Sequence, residues 1–474
     1  MQSQLWINGA ARPAANGQSF TTPNPTTGQV LAELPRATQA DVEEAIPGAK
    51  RGFEAWQRVD VHERARILWR IGDGMLARLE ELARLETLDT GKPLANSRAI
   101  DIPRAAETFH YFAGWADKIM GETVPVRGPY LNYTLREPLG IVAAITPWNF
   151  PILLAARKVA PALACGNAVI LKPAEQSSLT SLALGPICKE AGVPDGLVQV
   201  LSGFGPEVGA ALVDHPEIAK ITFTGGTDTG RRIMRAAAGS LKKLSLELGG
   251  KSPNIIFADA DLPAAARAAA RAIFYNQGEI CTAGSRLLVE ESVKDQVLEH
   301  LLEATRSYKV GDPMEAGTVI GPLISEEHRD KVVGYIRKGT EEGAQLLCGG
   351  ALERPGYFVE PTIFDRVLPG MTIAKEEIFG PVLSVLSFKD MEEAVQLADA
   401  TEYGLAAGVW TRDVGRAHSM ARRLRAGTVW VNSYNLFDAS SPYGGYKQSG
   451  YGRENGKEVL EAYTQLKSVW VATG

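Results

Sequence analysis

The stretch Gly140-Ile-Val-Ala-Ala-Ile-Thr-Pro-Trp-Asn-Phe-Pro151 opens a regular alternation of strands and helices. Its first half is an unbroken apolar run, which is typical of a strand buried on both faces. Pro151 then stands at the first turn of a predicted helix, residues 151–164, where its missing N–H has no helical partner to lose. A second apolar run, residues 168–172, follows that helix. The order strand, helix, strand predicts a parallel sheet with helices on both faces.

Strand and helix patterns continue to residue 248 and then begin again. Apolar runs predict further strands at residues 197–201, 218–224 and 243–248. Patterns with a period near 3.6 predict the helices between them, at 178–191, 207–213 and 229–238. A second series predicts helices near 262–276, 293–308, 391–400 and 414–424, a helix-containing stretch at 322–343, and strands at 287–289, 382–388, 406–410 and 428–432. We therefore predict two α/β domains.

The two ends of the chain carry different patterns. Residues 1–40 contain short strand signals separated by turns, and residues 39–119 follow a helical period. Residues 123–136 are extended and polar, as in an exposed hairpin or arm. The chain ends in Lys467-Ser-Val-Trp-Val-Ala, a strand with nothing after it to pair with. Such a terminal strand often adds to the sheet of a second copy.

The composition excludes several classes of protein. A chain of 474 residues fits two or three domains, and a net charge of −5 offers no basic surface for nucleic acid. The longest apolar run, 139–156, contains Pro147 and Pro151, which a membrane helix tolerates poorly. Four widely spaced cysteines form no metal-binding pattern, and no signal peptide is recognisable. We expect a cytoplasmic protein, with no membrane partner and no metal.

The segment Phe274-Tyr-Asn-Gln-Gly-Glu-Ile-Cys-Thr-Ala-Gly-Ser-Arg286 carries the first chemical group, Cys281. Gly278 and Gly284 place it in a turn of small and polar residues between a predicted helix and a predicted strand. A thiol on such a turn is accessible, whereas a structural cysteine usually lies inside a periodic apolar pattern. Because only a thiolate is a good nucleophile, we expect surroundings that favour its ionisation.

Two more groups lie where predicted strands end, the edge at which parallel sheets bind ligands. Glu247 ends an apolar strand just before two glycines, and burial there would raise its pKa and make it a general base. Asn149 stands between two prolines, so its amide can donate to an oxyanion together with the backbone N–H of Cys281. Alone, a capping glutamate and an asparagine in a turn would be the commoner interpretations.

Two segments indicate a dinucleotide site. Lys172-Pro-Ala-Glu175 follows a strand directly, and its charged side chains could bind a ribose. A carboxylate there would repel a 2′-phosphate, which favours NAD over NADP. Phe223-Thr-Gly-Gly-Thr-Asp-Thr-Gly230 leads a strand into a helix, where a pyrophosphate can approach. Gly203-Phe-Gly-Pro-Glu-Val-Gly209 is one residue too long for the dinucleotide fingerprint and predicts a tight turn.

Histidines and aromatic residues allow a further distinction. A structural role is predicted for all six histidines, which are His62, His110, His215, His300, His328 and His418. Without an imidazole base, a Cys–His hydrolase is disfavoured. The aromatic residues Trp148, Phe150, Phe437 and Tyr443 could be ordinary core, but three of them flank the proposed site. That favours a partly aromatic substrate channel.

Seven motifs together resemble the aldehyde dehydrogenase superfamily of the non-phosphorylating, NAD(P)-dependent kind. In chain order they are Pro147-Trp-Asn-Phe-Pro, Lys172-Pro-Ala-Glu, Phe223-Thr-Gly-Gly-Thr, Leu246-Glu-Leu-Gly-Gly-Lys, Gly278-Glu-Ile-Cys, Glu377-Ile-Phe-Gly-Pro and Pro442-Tyr-Gly-Gly-Tyr-Lys-Gln-Ser-Gly. The resemblance covers nearly the whole chain, and the number and order of the motifs make it highly specific.

The resemblance implies an α/β fold in three parts. A Rossmann-type NAD-binding domain would comprise residues 1–119 and 139–248, and a catalytic domain residues 249–448. A small β arm, residues 120–138 and 449–474, would form a homodimer or homotetramer. The resemblance also implies that the cofactor is bound by Ile145, Trp148, Lys172, Glu175, Gly205, Gly225, Leu248, Glu377 and Phe379.

The implied reaction is the NAD-dependent oxidation of an aldehyde to a carboxylic acid. The Cys281 thiolate adds to the aldehyde carbon, Asn149 helps hold the oxyanion, and hydride transfer leaves a thioester that Glu247-activated water hydrolyses. An acylating relative that uses coenzyme A would not need that base. The alternatives are a non-catalytic binding or structural protein on the same scaffold, and a thiol hydrolase without cofactor.

The sequence predicts a substrate channel but no single aldehyde. Its predicted lining is Phe150, Leu153, Arg157, Ile280, Phe437 and Tyr443, with Leu436 nearby. Gly226 stands where the family often has serine. Arg157 resembles the position at which semialdehyde dehydrogenases place an arginine for the distal carboxylate of the substrate. The second arginine of that pair would fall at Tyr275, so a structural arginine is an equal interpretation.

Overall fold

A computed structural model describes residues 3–352 and 354–474 of the chain. These residues form two large sheets with helices packed against them, and three small sheets. Buried apolar side chains form one core around the first large sheet and two around the second. Within the described ranges, no helix has the length and apolar character needed to cross a bilayer.

The first large sheet holds the predicted strand–helix alternation. Its eight strands lie in the order Ala10–Arg12, Leu5–Ile7, Val198–Val200, Ala168–Lys172, Ile141–Ile145, Ile218–Thr224, Lys243–Glu247 and Gly450–Tyr451. The five strands from Val198–Val200 to Lys243–Glu247 are parallel, and the outer strands join them antiparallel. Parallel strands end at one edge, so the segments that follow them meet there.

The helices of this part precede the parallel strands or lie between them. They are Gln39–Gln57, Val61–Ala77, Leu79–Thr90, Leu94–Asn96, Ile102–Ala113, Pro151–Ala164, Leu179–Ala191, Ala210–Asp214 and Thr227–Ala238, with wider turns at Ser97–Asp101 and Gly205–Gly209. Pro151–Ala164 is buried along its whole length, because it packs between Ile102–Ala113 and the strand Ala168–Lys172. The predicted helix at 207–213 is instead the turn Gly205–Gly209 followed by Ala210–Asp214.

The second large sheet has two covered faces. Its seven strands lie in the order Gln345–Ala351, Val359–Asp365, Val382–Phe388, Arg286–Glu290, Pro253–Ile256, Ala406–Trp410 and Thr428–Val431. Its helices and helical turns are Leu262–Phe274, Tyr275–Gly278, Glu291–Val293, Lys294–Thr305, Glu326–Glu341, Thr372–Lys375, Met391–Asp399 and Val414–Arg423. Ile255 and Leu288 pack into one core while Ile256 and Leu287 pack into the other, as the alternation of strand side chains requires.

The predicted arm is a three-stranded antiparallel sheet. Thr464–Ala472, which follows the helix Val459–Tyr463, pairs along its whole length with Tyr130–Pro138, and Thr123–Val124 pairs with the other edge of that strand. The C-terminal strand is therefore not left unpaired, because its partner precedes it in the chain. Two small pairs complete the fold: Ser19–Pro23 with Val30–Pro35, and Tyr403–Gly404 with Tyr446–Lys447.

The predicted α/β class is confirmed, but three strands of the second sheet were missed. They are Pro253–Ile256, Gln345–Ala351 and Val359–Asp365. Pro253–Ile256 is short and begins with a proline, and Gln345–Ala351 contains two glycines where its pairing is irregular. Apart from Gly450–Tyr451, the two large sheets draw their strands from the ranges 1–248 and 249–448. Which range binds the cofactor and which catalyses stays a prediction.

Candidate active site

One cavity of about 310 Å³ contains the three residues predicted to be catalytic. Asn149 lies in the loop after the strand Ile141–Ile145, and Glu247 is the last residue of its own strand. Cys281 lies between the helix Leu262–Phe274 and the strand Arg286–Glu290. The cavity therefore joins the ligand edge of the first sheet to a loop of the second.

The turn before Cys281 is held in an uncommon backbone conformation. Asn276 and Gln277 are buried and have φ values of 49° and 56°. Gly278 also has a positive φ, 75°, and a Cβ at this residue would collide with the carbonyl oxygen of Gly380. Such conformations store strain and cluster at active sites. The positive φ and the close packing against Gly380 therefore both require glycine at position 278.

The Cys281 thiol is half-buried, and its sulfur lies 3.0 Å from the phenolic oxygen of Tyr443. Burial raises the pKa of the thiol to about 12, and the hydrogen bond from Tyr443 acts in the opposite direction. Burial also raises the pKa of Tyr443 well above its ordinary value. The expectation of surroundings that favour a thiolate was therefore wrong, because the loss of water outweighs the hydrogen bond.

Glu247 is a buried carboxyl group, 3% exposed, and neither oxygen has a hydrogen-bond partner among the described residues. Burial raises its pKa well above the ordinary value, and the negative charge of Glu454 raises it further. Lys158 acts in the opposite direction, but its ammonium group is paired with Glu454. The predicted rise in the pKa of Glu247 is confirmed. A carboxyl group with a raised pKa is a stronger base once it is ionised.

Close backbone packing fixes the position of Glu247. Gly450 is its partner across the sheet, and a Cβ at Gly450, where φ is 116°, would collide with the carbonyl oxygen of Leu246. On the other side, the Gly225 N–H donates to the carbonyl oxygen of Glu247 over 3.0 Å. The predicted glycine turn and the predicted base are therefore joined by a backbone hydrogen bond.

The Asn149 side chain is oriented by the turn that carries Cys281. Its amide nitrogen donates to the carbonyl oxygen of Glu279 over 2.8 Å. Asn276 donates in turn to the carbonyl oxygen of Asn149 over 3.3 Å. One of the two amide hydrogens of Asn149 is thereby used. The second is left for a ligand in the cavity.

Five of the nine residues predicted to bind the cofactor line the cavity, namely Trp148, Gly225, Leu248, Glu377 and Phe379. Ile145, Lys172, Glu175 and Gly205 are not among its lining residues. Ile145 and Lys172 are neighbours on adjacent strands, and the Lys172 ammonium lies 3.1 Å from the Glu175 carboxylate. Gly205 begins the turn Gly205–Gly209. The residues predicted to bind the cofactor thus lie partly in the cavity wall and partly at the sheet edge beside it.

Glu377 packs against the two glycines that follow Glu247. Its carboxylate accepts a hydrogen bond of 2.8 Å from the Gly250 N–H, and a Cβ at Gly249 would collide with it. Burial raises the pKa of Glu377 to about 7. A side chain larger than glycine at position 249 would displace the carboxylate from the cavity wall, and one at position 250 would collide with the carbonyl oxygen of Cys281.

His328 was predicted to be structural, but it lines the cavity. Its ring centroid lies 5.2 Å from that of Trp148, and its Nε2 lies 2.7 Å from the carbonyl oxygen of Phe379. Burial lowers the pKa of His328 to about 4, so the neutral ring donates to that oxygen. His328 therefore positions Phe379, whose φ is 62°. The helical pattern around residue 328 gave no signal of this, because Phe379 is distant in sequence.

The six residues predicted for the substrate channel line the same cavity, and they are Phe150, Leu153, Arg157, Ile280, Phe437 and Tyr443. Leu436, which was expected nearby, is 64% exposed and is not a lining residue. The loop instead turns Phe437 inward onto Trp430 and Tyr443. Sequence reasoning missed Arg104, Arg271 and Asn435, which also line the cavity. No motif marked them.

The sequence model of the aldehyde dehydrogenase family matches residues 12–469. The chain belongs to the aldehyde dehydrogenase family. The mitochondrial aldehyde dehydrogenase of Equus caballus is 47% identical over 474 residues, which cover 99% of this chain and 95% of that protein. This match and the family model confirm the resemblance seen in the motifs.

Solved structures of the family confirm the fold of this aldehyde dehydrogenase. The NAD+ complex of the aldehyde dehydrogenase from Bacillus cereus is 46% identical with a TM-score of 0.98, covering 100% of this chain and 97% of that one. An indole-3-acetaldehyde dehydrogenase solved with NAD+ is 45% identical, also with a TM-score of 0.98 and the same coverage.

Proposed function

We propose that this aldehyde dehydrogenase uses NAD to oxidise an aldehyde to its carboxylic acid, through a thioester on Cys281. One observation carries the proposal: Cys281, Glu247 and Asn149 line a single cavity. A carbonyl carbon in that cavity meets a nucleophile, a base and an amide donor, which is the set that acyl chemistry requires.

Polar groups beside the cavity fit a dinucleotide. The hydroxyl oxygen of Thr224, just before the glycine turn, is buried and has no partner among the described residues. A Cβ at Gly226 would meet no atom within 4 Å, so the turn is open in front of the helix Thr227–Ala238. An anion such as a pyrophosphate suits the N-terminus of a helix. When bound, NAD accepts the hydride that leaves the hemithioacetal carbon.

The remaining cofactor contacts are assigned by position. Trp148, Gly225, Leu248, Glu377 and Phe379 would bind the cofactor from the cavity side, and Ile145, Lys172, Glu175 and Gly205 from the sheet edge. The carboxylate of Glu175 supports NAD over NADP, because it would repel a 2′-phosphate. The NAD+ bound to the two related structures supports the same choice.

Cys281 begins the reaction by adding to the aldehyde carbon. Its thiol must first lose its proton to solvent, which its raised pKa makes unfavourable. The hydrogen bond from Tyr443 is the contact that favours the thiolate. As the carbon–sulfur bond forms, the carbonyl oxygen becomes an oxyanion. Asn149 and the Cys281 N–H donate to it.

Glu247 completes the reaction by deacylation. It takes a proton from water, the water oxygen attacks the thioester carbon, and the carbon–sulfur bond breaks. The acid leaves and the sulfur is free for the next cycle. Transfer to coenzyme A would need no such base, so a buried glutamate at this place supports hydrolysis.

We also infer a homodimer or homotetramer in the cytoplasm. The arm exposes large apolar side chains on two paired strands, and these are Tyr130, Leu131, Leu135, Leu466, Trp470 and Val471. An exposed apolar patch of this kind is typical of an interface. All four cysteines are free thiols, which supports a reducing compartment.

Replacement of the nucleophile tests the proposal. Cys281→Ala should abolish NADH formation from aldehydes, because the residue that forms the acyl bond is gone. Cys348→Ala is the matched control, since Cys348 is also half-buried but does not line the cavity. NADH formation that survives Cys281→Ala would refute the role of Cys281. Ester hydrolysis by a wild-type enzyme that binds no NAD would indicate the cofactor-free hydrolase instead.

A further inference from the structure

Three arginines on three different helices face the cavity. They are Arg104 on Ile102–Ala113, Arg157 on Pro151–Ala164 and Arg271 on Leu262–Phe274. Only Arg157 stood out in the sequence. The other two lie on helices that pack beside the cavity and contribute one cavity-lining arginine each.

Two of these arginines share an aromatic neighbour close to the nucleophile. The guanidinium carbons of Arg104 and Arg157 lie 6.0 and 5.7 Å from the centroid of the Phe437 ring. Arg157 also lies 5.6 Å from the centroid of the Tyr443 ring. The hydroxyl of that tyrosine contacts the Cys281 sulfur. A continuous row of contacts thus leads from Arg104 to the thiol.

The three guanidinium groups have no acidic partner. Among residues 3–352 and 354–474, none of them forms an ion pair or donates a hydrogen bond to a protein atom. The pKa of Asp438 is lowered in part by Arg104, but that exposed carboxylate accepts its hydrogen bonds from Ser440. Of the three, Arg157 is buried, 9% exposed, whereas Arg104 is half-buried and Arg271 is exposed. A buried charge such as that of Arg157 is normally paired, because an unpaired one is costly.

Two neutral donors of the cavity wall are also unpartnered. The buried hydroxyl of Tyr275 has no partner among the described residues, and neither does the amide nitrogen of Asn435, whose oxygen accepts from Thr282. Tyr275 lines the same cavity as Arg104 and Arg271; burial and the charge of Asp101 raise the pKa of its hydroxyl, and the two arginines act in the opposite direction. Several hydrogen-bond donors therefore line this cavity without an acceptor.

The acids of the cavity do not balance the arginines. Glu454 is paired with Lys158. Glu247 and Glu377 are the other two carboxyl groups of the cavity wall; burial raises the pKa of both, and the positive charge of Arg157 acts on Glu247. A fourth cation, Lys331, lines the cavity as well. A cavity with this balance of charge attracts anions.

We propose that the aldehydes oxidised by this enzyme carry an oxyanion, a carboxylate or a phosphate, at the end away from the carbonyl, and that Arg104, Arg157 and Arg271 bind it. Guanidinium groups match both anions with paired hydrogen bonds. A cavity of about 310 Å³ suits a small molecule. The inference rests on the proposed function, since Cys281 sets the place of the carbonyl.

Matched pairs of aldehydes test the inference by their specificity constants. One pair is succinic semialdehyde and butanal, which have the same number of carbons, with 4-aminobutanal as the cationic counterpart. The other is glyceraldehyde 3-phosphate and glyceraldehyde. We expect NADH formation with a kcat/KM at least tenfold higher for the anionic member of one pair, and the pair that shows it identifies the anion. That advantage should shrink as NaCl is added, because salt screens the attraction.

Substitutions locate the site. Arg104→Gln, Arg271→Gln and Tyr275→Phe should each lower kcat/KM for the preferred anionic aldehyde more than for its neutral counterpart. For the arginines the difference should be about tenfold, the effect of losing a charge-assisted hydrogen bond. Arg337→Gln is the control, because that side chain is 77% exposed and lies on another surface helix. It should leave the ratio unchanged.

The possible results distinguish a failure of the anion-binding inference from a failure of the proposed function on which it rests. If neutral aldehydes are oxidised as well as anionic ones, the arginines are held only by their aromatic neighbours and the inference is wrong, while the proposed function stands. If no aldehyde yields NADH, both fail. If a variant does not fold, the preference of the wild-type enzyme for anionic aldehydes and its dependence on salt still test the inference.

Discussion

The phenolic oxygen of Tyr443 lies 3.0 Å from the sulfur of Cys281, so a tyrosine hydroxyl is the nearest polar contact of the proposed nucleophile. The hydrogen bond lowers the pKa of the thiol, while burial raises it to about 12. Tyr443 also packs on Phe437 and lies near Arg157. One residue thus joins the nucleophile to the channel wall.

Tyr443→Phe should make Cys281 less reactive. Removing the hydroxyl removes the hydrogen bond that favours the thiolate, so the pKa of the thiol rises and alkylation requires a higher pH. At a fixed pH near 8, the rate of labelling by iodoacetamide should fall about tenfold, as expected for one lost hydrogen bond to a charged group. Tyr130→Phe, in the exposed arm, should behave as wild type. An unchanged pH profile for Tyr443→Phe would contradict this account.

Turnover should rise with pH above the range in which an ordinary glutamate ionises. Burial raises the pKa of Glu247 well above that of an ordinary glutamate, so the ionised form that can accept a proton increases only as the pH passes that value. The measurement is kcat against pH between 5 and 9 with saturating aldehyde and NAD. A plateau already reached at pH 5 would show that no group with a raised pKa limits turnover.

Glu454→Gln should have two separable effects. It removes a negative charge that raises the pKa of Glu247, so the rise in kcat should move to lower pH. It also leaves Lys158 buried without its partner, which should cost about 3–5 kcal/mol of stability. Thermal unfolding measures the second effect. The double variant that also carries Lys158→Met should recover much of that stability. A further loss of stability in the double variant would contradict the pairing of Lys158 with Glu454.

Glu175→Gln should relax the choice of cofactor. Removing the carboxylate removes the repulsion of a 2′-phosphate, so kcat/KM for NADP relative to NAD should increase about tenfold, the effect of about 1.4 kcal/mol. Glu137→Gln, an exposed glutamate of the arm, is the control. If the ratio is the same in both variants, Glu175 does not select the cofactor.

Strands could be predicted from the sequence where a short segment was apolar throughout. The runs at 168–172 and 218–224 are apolar from end to end, and they form the strands Ala168–Lys172 and Ile218–Thr224. Pro253–Ile256 and Gln345–Ala351 lacked such a run and form strands through pairing with neighbours distant in sequence. For these, tertiary contacts rather than local pattern decide the structure.

The site was predictable where a residue stood in a distinctive turn. Cys281, Glu247 and Asn149 each adjoin glycines or prolines, and all three line one cavity. Arg104 and Arg271 lie in ordinary helical patterns and reach the cavity only through the packing of their helices. The raised pKa of Cys281 could not be predicted from the sequence either, because it depends on how much water the folded chain excludes from the thiol.

The central claim is that Cys281 forms the acyl bond and Glu247 breaks it, and Glu247→Gln in a rapid-mixing experiment tests this most directly. With excess aldehyde and NAD, the account predicts about one NADH per active site in the first phase, followed by a steady-state rate reduced at least a hundredfold, as for a lost general base. A first phase followed by wild-type turnover would contradict the role of Glu247. The absence of any first phase in a folded, NAD-binding variant would show that Glu247 is needed before the thioester forms, and would contradict the division of labour proposed here.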